Sequence, residues 1–354
     1  MRAIQLFLLL LLFRSSAEAQ WWKVQTSGLD TNLRGVSAAY APDAKGVPVA
    51  VVWASGSNGV ILRSLDAGQT WQHLHVAGGD ALDFRGIVAF NATTAYVMSS
   101  GEGEKSRIYK TTDGGETWTL QYDDKRKAFF LDALACWSGK ECLALSDPVD
   151  GKFLLIGTTD GEHWNPLPSD SMPAALPTEG AFAASNSSLA LGVHGEFFFA
   201  TGGPAARMFH ATDLGRSWSV TETPVAHGKP SAGIFSIVYR YFADTSQPGT
   251  LLVVGGDYQD PLRTGGVCAH SGDKGKSWIV SEQGPGGYRS AVGALDSFTF
   301  FALGPTGEEI SRDNGAHWKR TDSLHLNAVA FLDGKHGWAV GPKGTIAIFE
   351  NHLQ

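Results

Sequence analysis

Short runs of apolar residues, separated by polar turns, predict that this chain is built from β-strands. Between residues 72 and 110 four such runs follow one another, QHLHV, DFRGIVAF, TAYVMSS and RIYK, with turn residues between them. Runs of this length, bounded by turn residues, are typical of strands, and no convincing helical stretch occurs anywhere in the chain. The pattern indicates a repeating unit of four short strands.

One octapeptide recurs along the chain and divides it into these units. The pattern Ser/Thr-x-Asp-x-Gly-x-x-Trp, called the box below, returns at intervals of roughly 40 to 60 residues, the length of a four-stranded propeller blade. A sixth copy, TTDGEHW (158–164), is one residue short, and the copy at 211 begins with alanine. The other copies, with the one at 211, are SLDAGQTW (64–71), TTDGGETW (111–118), ATDLGRSW (211–218), SGDKGKSW (271–278) and SRDNGAHW (311–318).

We interpret the box as a structural turn and not as a catalytic motif. The aspartate can accept hydrogen bonds from the backbone N–H groups that follow it, and glycine can take a conformation that is costly for other residues. The tryptophan is then expected to pack between neighbouring blades. The residues with this structural role are Asp66, Trp71, Asp113, Trp118, Asp160, Trp164, Asp213, Trp218, Asp273, Trp278, Asp313 and Trp318.

The two ends of the chain supply one more blade. LNAVAFLD (326–333), HGWAVGPKG (336–344) and TIAIFEN (345–351) are three strands with no box after them, and WWKVQTS (21–27) is a strand with no box before it. Joining them removes exposed sheet edges that would invite aggregation. We therefore predict an all-β fold, a seven-bladed β-propeller of four-stranded antiparallel blades whose last blade is completed by the N-terminal strand.

The first residues have the features of a secretory signal peptide. Arg2 precedes an apolar run from Leu6 to Phe13, and Ala17-Glu18-Ala19 forms an A-x-A cleavage site. The run is shorter than the roughly 20 residues that span a bilayer. We predict a signal peptide at residues 1–19, a single propeller domain at residues 20–354, and a secreted or periplasmic protein that is not transmembrane.

Charge and cysteine content narrow the classes of function further. The chain has 28 basic and 35 acidic side chains, a net charge of −7, which argues against a nucleic-acid partner. Cys136 and Cys142 flank five residues and can close a disulfide across a hairpin, with free thiols as the alternative, whereas Cys268 is expected in the core. Since no Cys/His group has zinc spacing, we predict neither a metal nor a cofactor.

The candidate site follows from the position of the boxes. If each box joins the third and fourth strands of its blade, all boxes lie on one face, and we expect a binding site on the opposite face, around the channel. Two sets of residues should reach that face. Those at the starts of innermost strands are Arg34, Arg85, Asp132, Glu179, Arg289 and Asn327. Those in loops between second and third strands are Asp147, His194, Glu196, Asp257, Tyr258, Asp260 and Arg263.

The chemistry of these side chains suggests two kinds of site. Arg34, Arg85 and Arg289 are suited to hold a carboxylate or other anion, because each guanidinium presents a fork of donors. Arg263, His194 and Glu196 are further ligand-binding candidates, and the acid–base candidates are Glu179, Tyr258, Asp257 and Asp147. The alternative is that these polar residues pair with one another around a water-filled channel.

Two known families share motifs with this chain. The last blade, AVAFLDGKHGWAVGPKGTIAIFEN, and the unit SRIYKTTDGGETWTLQY resemble the photosystem II stability and assembly factor family. That resemblance implies an exported seven-bladed propeller that helps to assemble a membrane complex without catalysing a reaction. SDPVDGKF, EGAFAAS, SAGIFSIVY, GGDY and YRSAV resemble a non-photosynthetic bacterial branch of these propellers.

The box itself resembles the Asp box of bacterial neuraminidase-type repeats, which sialidases share. Sialidases use three arginines, a Tyr–Glu pair and an aspartate, and their first arginine lies in an Arg-Ile-Pro motif. Here Arg34 precedes Gly35-Val36 and Arg85 precedes Gly86-Ile87, so that motif is absent.

Two functional hypotheses follow from these patterns. The first is an exported scaffold, a monomer that binds a protein partner of the cell envelope, or a glycan or other anionic ligand. The alternative is a carbohydrate-active enzyme, a glycoside hydrolase, sialidase-like enzyme or polysaccharide lyase, acting at a channel mouth lined by Arg, Glu and Tyr.

Overall fold

Seven antiparallel sheets surround a central channel in the computed structural model of this protein, which describes residues 21–43, 45–240 and 249–351. The predicted signal peptide lies outside these ranges. The predicted fold, an all-β seven-bladed propeller of four-stranded blades, is confirmed.

The strands fall into blades in chain order, with the first strand of each blade innermost. Strand β1 (Trp22–Thr26) belongs to the last blade. Blade 1 is β2 to β5, Leu33–Pro42, Pro48–Gly56, Ile61–Ser64 and Gln72–Leu74, and blade 2 is β6 to β9, Phe84–Ala89, Ala95–Ser99, Arg107–Thr111 and Thr119–Asp123. Blade 3 is β10 to β13, Leu131–Cys136, Cys142–Val149, Lys152–Thr158 and Asn165–Pro166.

The remaining blades follow the same plan, with one addition. Blade 4 is β14 (Leu189–Leu191), β15 (Phe197–Ala200), β17 (Arg207–Thr212) and β18 (Ser217–Glu222). Blade 5 is β19 to β22, Lys229–Arg240, Thr250–Asp257, Cys268–Ser271 and Ile279–Val280, and the short β16 (Gly202–Gly203) adds to its inner edge. Blade 6 is β23 to β26, Ala291–Ala294, Phe300–Gly304, Gly307–Ser311 and Lys319–Asp322; blade 7 is β27 (Ala328–Phe331), β28 (Gly337–Val340), β29 (Thr345–Phe349) and β1.

Helical structure is minimal. In the described ranges it amounts to two 3₁₀ turns, Gly103–Lys105 and Asp213–Gly215. No described helix is long and apolar enough to cross a membrane.

Each box joins the third and fourth strands of its blade, and a network of hydrogen bonds holds the turn. In the first copy, the Asp66 carboxylate accepts from the Thr70 N–H at 2.8 Å and from the Thr70 hydroxyl at 2.6 Å. The Ser64 hydroxyl donates to Asp66 and accepts from the Gly68 N–H, and the Trp71 indole donates to the Gly68 carbonyl. Hydroxyl, aspartate and glycine therefore act together to close one turn.

The copy at 211 has alanine at the first position of the box, and its turn differs from that of the first copy. Ala211 has no hydroxyl, and here the turn is a 3₁₀ turn in which Asp213 and Leu214 both have positive φ. The Asp213 carboxylate pairs with Arg216 at 3.4 Å. The tryptophan anchor persists nevertheless, since Trp218 Nε1 donates to the Gly215 carbonyl.

The box tryptophans pack between blades. Trp118 meets Trp53 of the preceding blade edge to face, with ring centroids 6.2 Å apart, and Trp164 meets Tyr96 at 5.7 Å. Each of the six lies in an apolar cluster that its own blade shares with the preceding one.

The N-terminal strand completes blade 7, which has no box of its own. Strand β1 pairs with β29 from Trp22↔Phe349 to Thr26↔Thr345. Trp22 is fully buried and packs edge to face on Phe301 of blade 6 and Phe349 of blade 7. The aromatic side chain that a box would place between the sixth and seventh blades therefore comes from the other end of the chain.

We predict that Trp22→Ala lowers the free energy of unfolding by about 3 to 5 kcal/mol, because it empties the space between blades 6 and 7. Val24→Ala on the same strand, where the side chain is largely exposed, is the matched control and should change it by less than about 0.5 kcal/mol. Urea denaturation of both variants measures the difference, and equal losses would contradict the role given to Trp22.

A buried carboxyl lies near the same seam. Glu308 on β25 is fully buried, and one of its oxygens accepts from the Thr321 hydroxyl at 2.7 Å. Burial raises the pKa of Glu308 from its ordinary 4.5 to about 7; Asp322 adds to the shift, and the bond from Thr321 opposes it. The folded protein therefore holds this proton more tightly than the unfolded chain does.

We expect Glu308→Gln to stabilise the protein increasingly as the pH rises above about 4.5. Because the folded pKa of Glu308 is raised, its stability contribution is full below pH 4.5 and is lost as the pH rises towards 7. The variant should gain on the order of 3 kcal/mol over the parent at about pH 8 and much less at about pH 4. Exposed Glu222→Gln is the control, and urea midpoints across this range test the prediction.

Candidate functional site

Four residues at equivalent points of four blades meet at the channel mouth opposite the boxes. In blades 1, 2, 3 and 5 the register between the first and second strands shifts by one residue, near the start of the innermost strand in blades 1 to 3 and in its middle in blade 5. The residues at these shifts are Arg34, Arg85, Asp132 and Phe235. All four line one cavity of about 510 Å³, called the mouth pocket below. A bulge turns an extra side chain away from the ladder, which explains why these residues reach the channel.

A segment from blade 4 crosses the channel and closes the floor of the mouth pocket. We call residues 183–187 the plug. The side-chain amide of Asn186 accepts from the Leu134 N–H and donates to the Leu134 carbonyl, which ties the plug to blade 3. Ser185 donates to the Ser290 carbonyl of blade 6, and Ser187 bonds with Ser236 of blade 5. The channel is therefore blocked at this level by hydrogen-bonded protein.

The two arginines of the mouth pocket point at the plug from blades 1 and 2. Arg34 Nη2 and Arg85 Nη1 both donate to the Ala183 carbonyl, at 3.2 and 3.3 Å. Arg85 Nε also pairs with Asp83 at 2.7 Å, whereas Arg34 Nε is buried and has no hydrogen-bond partner in the described residues. Burial, together with neighbouring Arg85, lowers the pKa of Arg34. An anion placed here would relieve that repulsion and accept from the free donor.

Two carboxyls complete the polar part of the pocket. Asp132 is 1% exposed, and in the described part of the chain neither of its carboxyl oxygens has a hydrogen-bond partner. Asp147 follows on β11 and accepts from the Ala181 N–H at 2.9 Å. Burial raises the pKa of Asp147 to about 6 and that of Asp132 well above its usual range.

Aromatic side chains form the rest of the wall. Phe182 stacks on Phe235 with centroids 3.8 Å apart, and Tyr288 meets the Phe235 ring edge to face at 4.7 Å. Tyr258 packs against the same phenylalanine and is about half exposed at the rim. The pocket thus combines two cations, two acids and an aromatic wall.

The structure does not assemble the predicted clamp of three arginines. Arg289 donates its backbone N–H to the Gly255 carbonyl of the preceding blade, as Leu33 does to Gly341 in blade 1. Arg289 therefore occupies the position of Leu33, one residue before that of Arg34, and its side chain turns into the blade. There it is 1% exposed and pairs with Glu309 at 2.9 Å.

Two of the acid–base candidates are held in ion pairs. Glu179 is buried and receives hydrogen bonds from Arg207 and Thr201. It also lies well before the innermost strand of its blade, which begins at Leu189, so its predicted place at a strand start is wrong. Asp257 is buried and accepts from Lys229 at 3.0 Å.

His194 and Glu196 lie on the box face, so the predicted placement on the opposite face is wrong. They belong to the turn between the first and second strands of blade 4, because the innermost strand of this blade is β14, which begins at Leu189 and not at Glu179. His194 bonds with Glu141 at 2.9 Å, and Glu196 pairs with His210 and with Lys274 of a box.

The other candidates reach the expected face without entering the mouth pocket. Asn327 donates to Asn32 and to the Leu33 carbonyl. Asp260 and Arg263 are exposed on the loop between β20 and β21. Sequence reasoning missed Phe235, Phe182, Phe130 and Tyr288 in the pocket. Alignment of IFSI with LRGV and FRGI would have located Phe235, whereas the others have no such signal.

Cysteines and metal ligands lie apart from this site. Cys136 and Cys142 form a disulfide across the hairpin between β10 and β11, and Cys268 is buried. No group of three or more His, Cys, Asp or Glu side chains suited to a metal occurs in the described ranges.

Fold and site together define a seven-bladed β-propeller with a plugged channel and a charged aromatic pocket at one mouth. No family model matches the chain. Over 172 residues it is 28% identical to the photosystem II assembly protein Ycf48 of Synechococcus sp. (strain JA-3-3Ab), a match that spans 48% of this chain and 42% of that protein. The chain thus matches under half the length of this curated relative.

Solved structures of similar proteins extend the likeness in fold to nearly the whole chain. Ycf48 from Cyanidioschyzon merolae superposes with a TM-score of 0.65 over 93% of this chain and 99% of that one, at 16% identity. A structure of YCF48 bound to D1 peptide gives 0.58 over 94% and 98%, at 12% identity. At these identities the likeness is one of fold.

We predict that Gly86→Ala destabilises the plug. A Cβ at Gly86 would overlap the side-chain amide of Asn186, so the variant should lose about 1 to 3 kcal/mol of unfolding free energy. Gly272→Ala is the matched control, because nothing lies within 4 Å of its added Cβ. Denaturant unfolding of the pair gives the comparison, and an unchanged Gly86→Ala protein would show that the plug tolerates displacement.

Proposed function

We propose that this protein is an exported, non-enzymatic binding protein that holds a segment of a partner protein in the mouth pocket. The observation that carries the proposal is the pocket itself, a cavity of about 510 Å³ that Arg34, Arg85 and several aromatic rings line together. The partner would be a protein of the cell envelope, met after export by the predicted signal peptide. A propeller from a non-photosynthetic bacterial branch would fit this role.

The aromatic and charged lining of the mouth pocket favours a peptide segment over a flat protein surface as the ligand. Pockets that combine aromatic walls with a few charged groups anchor single side chains, and such anchors supply most of the binding energy at interfaces. The similar propeller YCF48 has a structure with a peptide of D1 bound. This precedent supports a peptide-binding role.

The predicted signal peptide at residues 1–19 supports the proposal that the protein is exported. A cleaved signal peptide would deliver the propeller to an oxidising compartment, where a disulfide such as Cys136–Cys142 persists.

A carbohydrate-active enzyme is the second candidate, and one observation favours it. Asp147 lies between the mouth pocket and a neighbouring cleft that Glu179 also lines. Its pKa of about 6 suits a general acid. A screen of glycans with the protein and its Asp147→Asn variant tests this candidate; turnover that depends on Asp147 and not on Asp260 would favour the enzyme.

Site-specific photo-crosslinking tests the binding function. A photoreactive phenylalanine analogue at Tyr258, on the mouth rim, should give a discrete adduct with an envelope protein of the source cells. The matched control is Phe298, another exposed aromatic side chain, in the β23–β24 turn on the box face. Arg34→Gln/Arg85→Gln should reduce the Tyr258 adduct about tenfold or more by removing charge-assisted bonds.

One further variant and one stability measurement are the controls for this experiment. Arg216→Gln, on the box face, should leave the Tyr258 adduct unchanged. The double arginine variant must keep the parental unfolding midpoint, so that loss of the adduct reports binding and not folding. Equal adducts from Tyr258 and Phe298, or an adduct that survives the double variant, would refute the assignment to the mouth pocket.

A further inference from the structure

Asp132 and Asp147 both line the mouth pocket. Two carboxyl groups do not suit a site that binds anions alone. Asp132 is buried, lines the pocket, and has no hydrogen-bond partner on either carboxyl oxygen in the described residues. Buried carboxyls are nearly always hydrogen-bonded, because an unpaired one has lost its water without compensation. Donors for Asp132 are therefore expected to arrive with a ligand.

Few charged groups face Asp132, and none of them satisfies it. Asp147 approaches from β11 and Arg85 from β6. Arg85 Nε pairs with Asp83 and Arg85 Nη1 donates to the Ala183 carbonyl, and no hydrogen bond joins Arg85 to Asp132 in the described residues. Burial raises the pKa of Asp132 well above its usual range, and the charge of Asp147 adds to this, whereas Arg85 and the backbone N–H of Asp147 oppose it. The pocket by itself therefore favours the protonated form of Asp132 over the ionised form.

We propose that Asp132 and Asp147 form a cation subsite that receives the ammonium or guanidinium group of a basic side chain in the bound segment. The inference rests on the proposed peptide-binding function and names the chemistry that this segment must have. One nitrogen group with several N–H donors can bond to both carboxyls at once, through charge-assisted hydrogen bonds. The half-exposed ring of Tyr258 at the rim adds a favourable site for a cation.

The neighbouring arginines complete a pattern of charge. Arg34 has a buried Nε without a partner in the described residues, so an acidic group of the same segment fits beside the basic one. In an extended peptide, side chains two positions apart lie on the same side, roughly 7 Å from each other. The subsites therefore select a segment that carries a basic and an acidic residue on one face.

Binding of a cation at the subsite is coupled to the release of a proton. A bound cation favours the ionised form of Asp132, so Asp132 releases its proton to solvent when the basic side chain binds. Affinity for a basic segment should accordingly rise with pH.

Blocked, labelled hexapeptides that contain one aspartate test the subsite. The residue two positions away is lysine in one probe and glutamine in the other, and fluorescence polarisation measures their affinities. Above about pH 7 the lysine peptide should bind about tenfold more tightly, and the difference should shrink towards about pH 5.5. Asp132→Asn and Asp147→Asn should each abolish the difference while the glutamine peptide binds as before. Asp260→Asn, an exposed acid on the same face, should preserve it.

The possible results separate this inference from the proposed function. Equal binding of the two peptides by the parent protein overturns the cation subsite and leaves peptide binding intact. If neither peptide binds but the Tyr258 adduct forms, the subsite is wrong and the binding function stands; if both fail, both are wrong. Binding of maltohexaose that Asp147→Asn weakens would also overturn the inference, in favour of sugar hydroxyls as the donors. Unfolding midpoints of the two asparagine variants must be no lower than that of the parent, because both replacements keep the volume of the side chain and remove a carboxyl whose pKa burial raises.

Discussion

The pairing of β1 with β29 is the constraint on which the rest of the structure depends. Seven sheets form a ring only if the first and last meet, and here a strand from one end of the chain completes the sheet made by the other. Trp22 then fills the space between blades 6 and 7 as the box tryptophans do between the others. Without this closure there would be neither a channel nor a mouth at which distant residues converge.

The ring gives the two faces different properties. On one face the boxes consume their polar groups within the turns, as Asp66 and Thr70 show. On the other face, bulges in four innermost strands direct side chains towards the channel. The plug closes the channel beneath these side chains. Asp132 and Arg34 Nε are among the buried polar groups that have no hydrogen-bond partner in the described residues, and both residues line the mouth pocket. An unpaired buried group is a local cost, and such costs are typical of binding sites.

Much of the candidate site could be located from the sequence because the blades repeat. LRGV, FRGI and LDAL align, so Arg34, Arg85 and Asp132 were correctly expected to meet. The same alignment failed for Arg289, which is one residue out of phase and takes the buried position of Leu33. It failed again in blade 4, where the innermost strand begins at Leu189 and not at Glu179. His194 and Glu196 therefore lie on the box face, and Glu179 pairs with Arg207.

By itself the sequence determined the number of blades, the strand order and the face on which the boxes lie, because turns and alternating apolar residues act over a few neighbours. Only the tertiary structure decided which polar residues face the pocket and which pair inside a blade. That choice depends on a shift of one residue in strand register and on contacts between chain segments far apart, such as Asn186 with Leu134 and Arg34 with Ala183. Local pattern carries no information about such contacts, since they form only when the ring has closed.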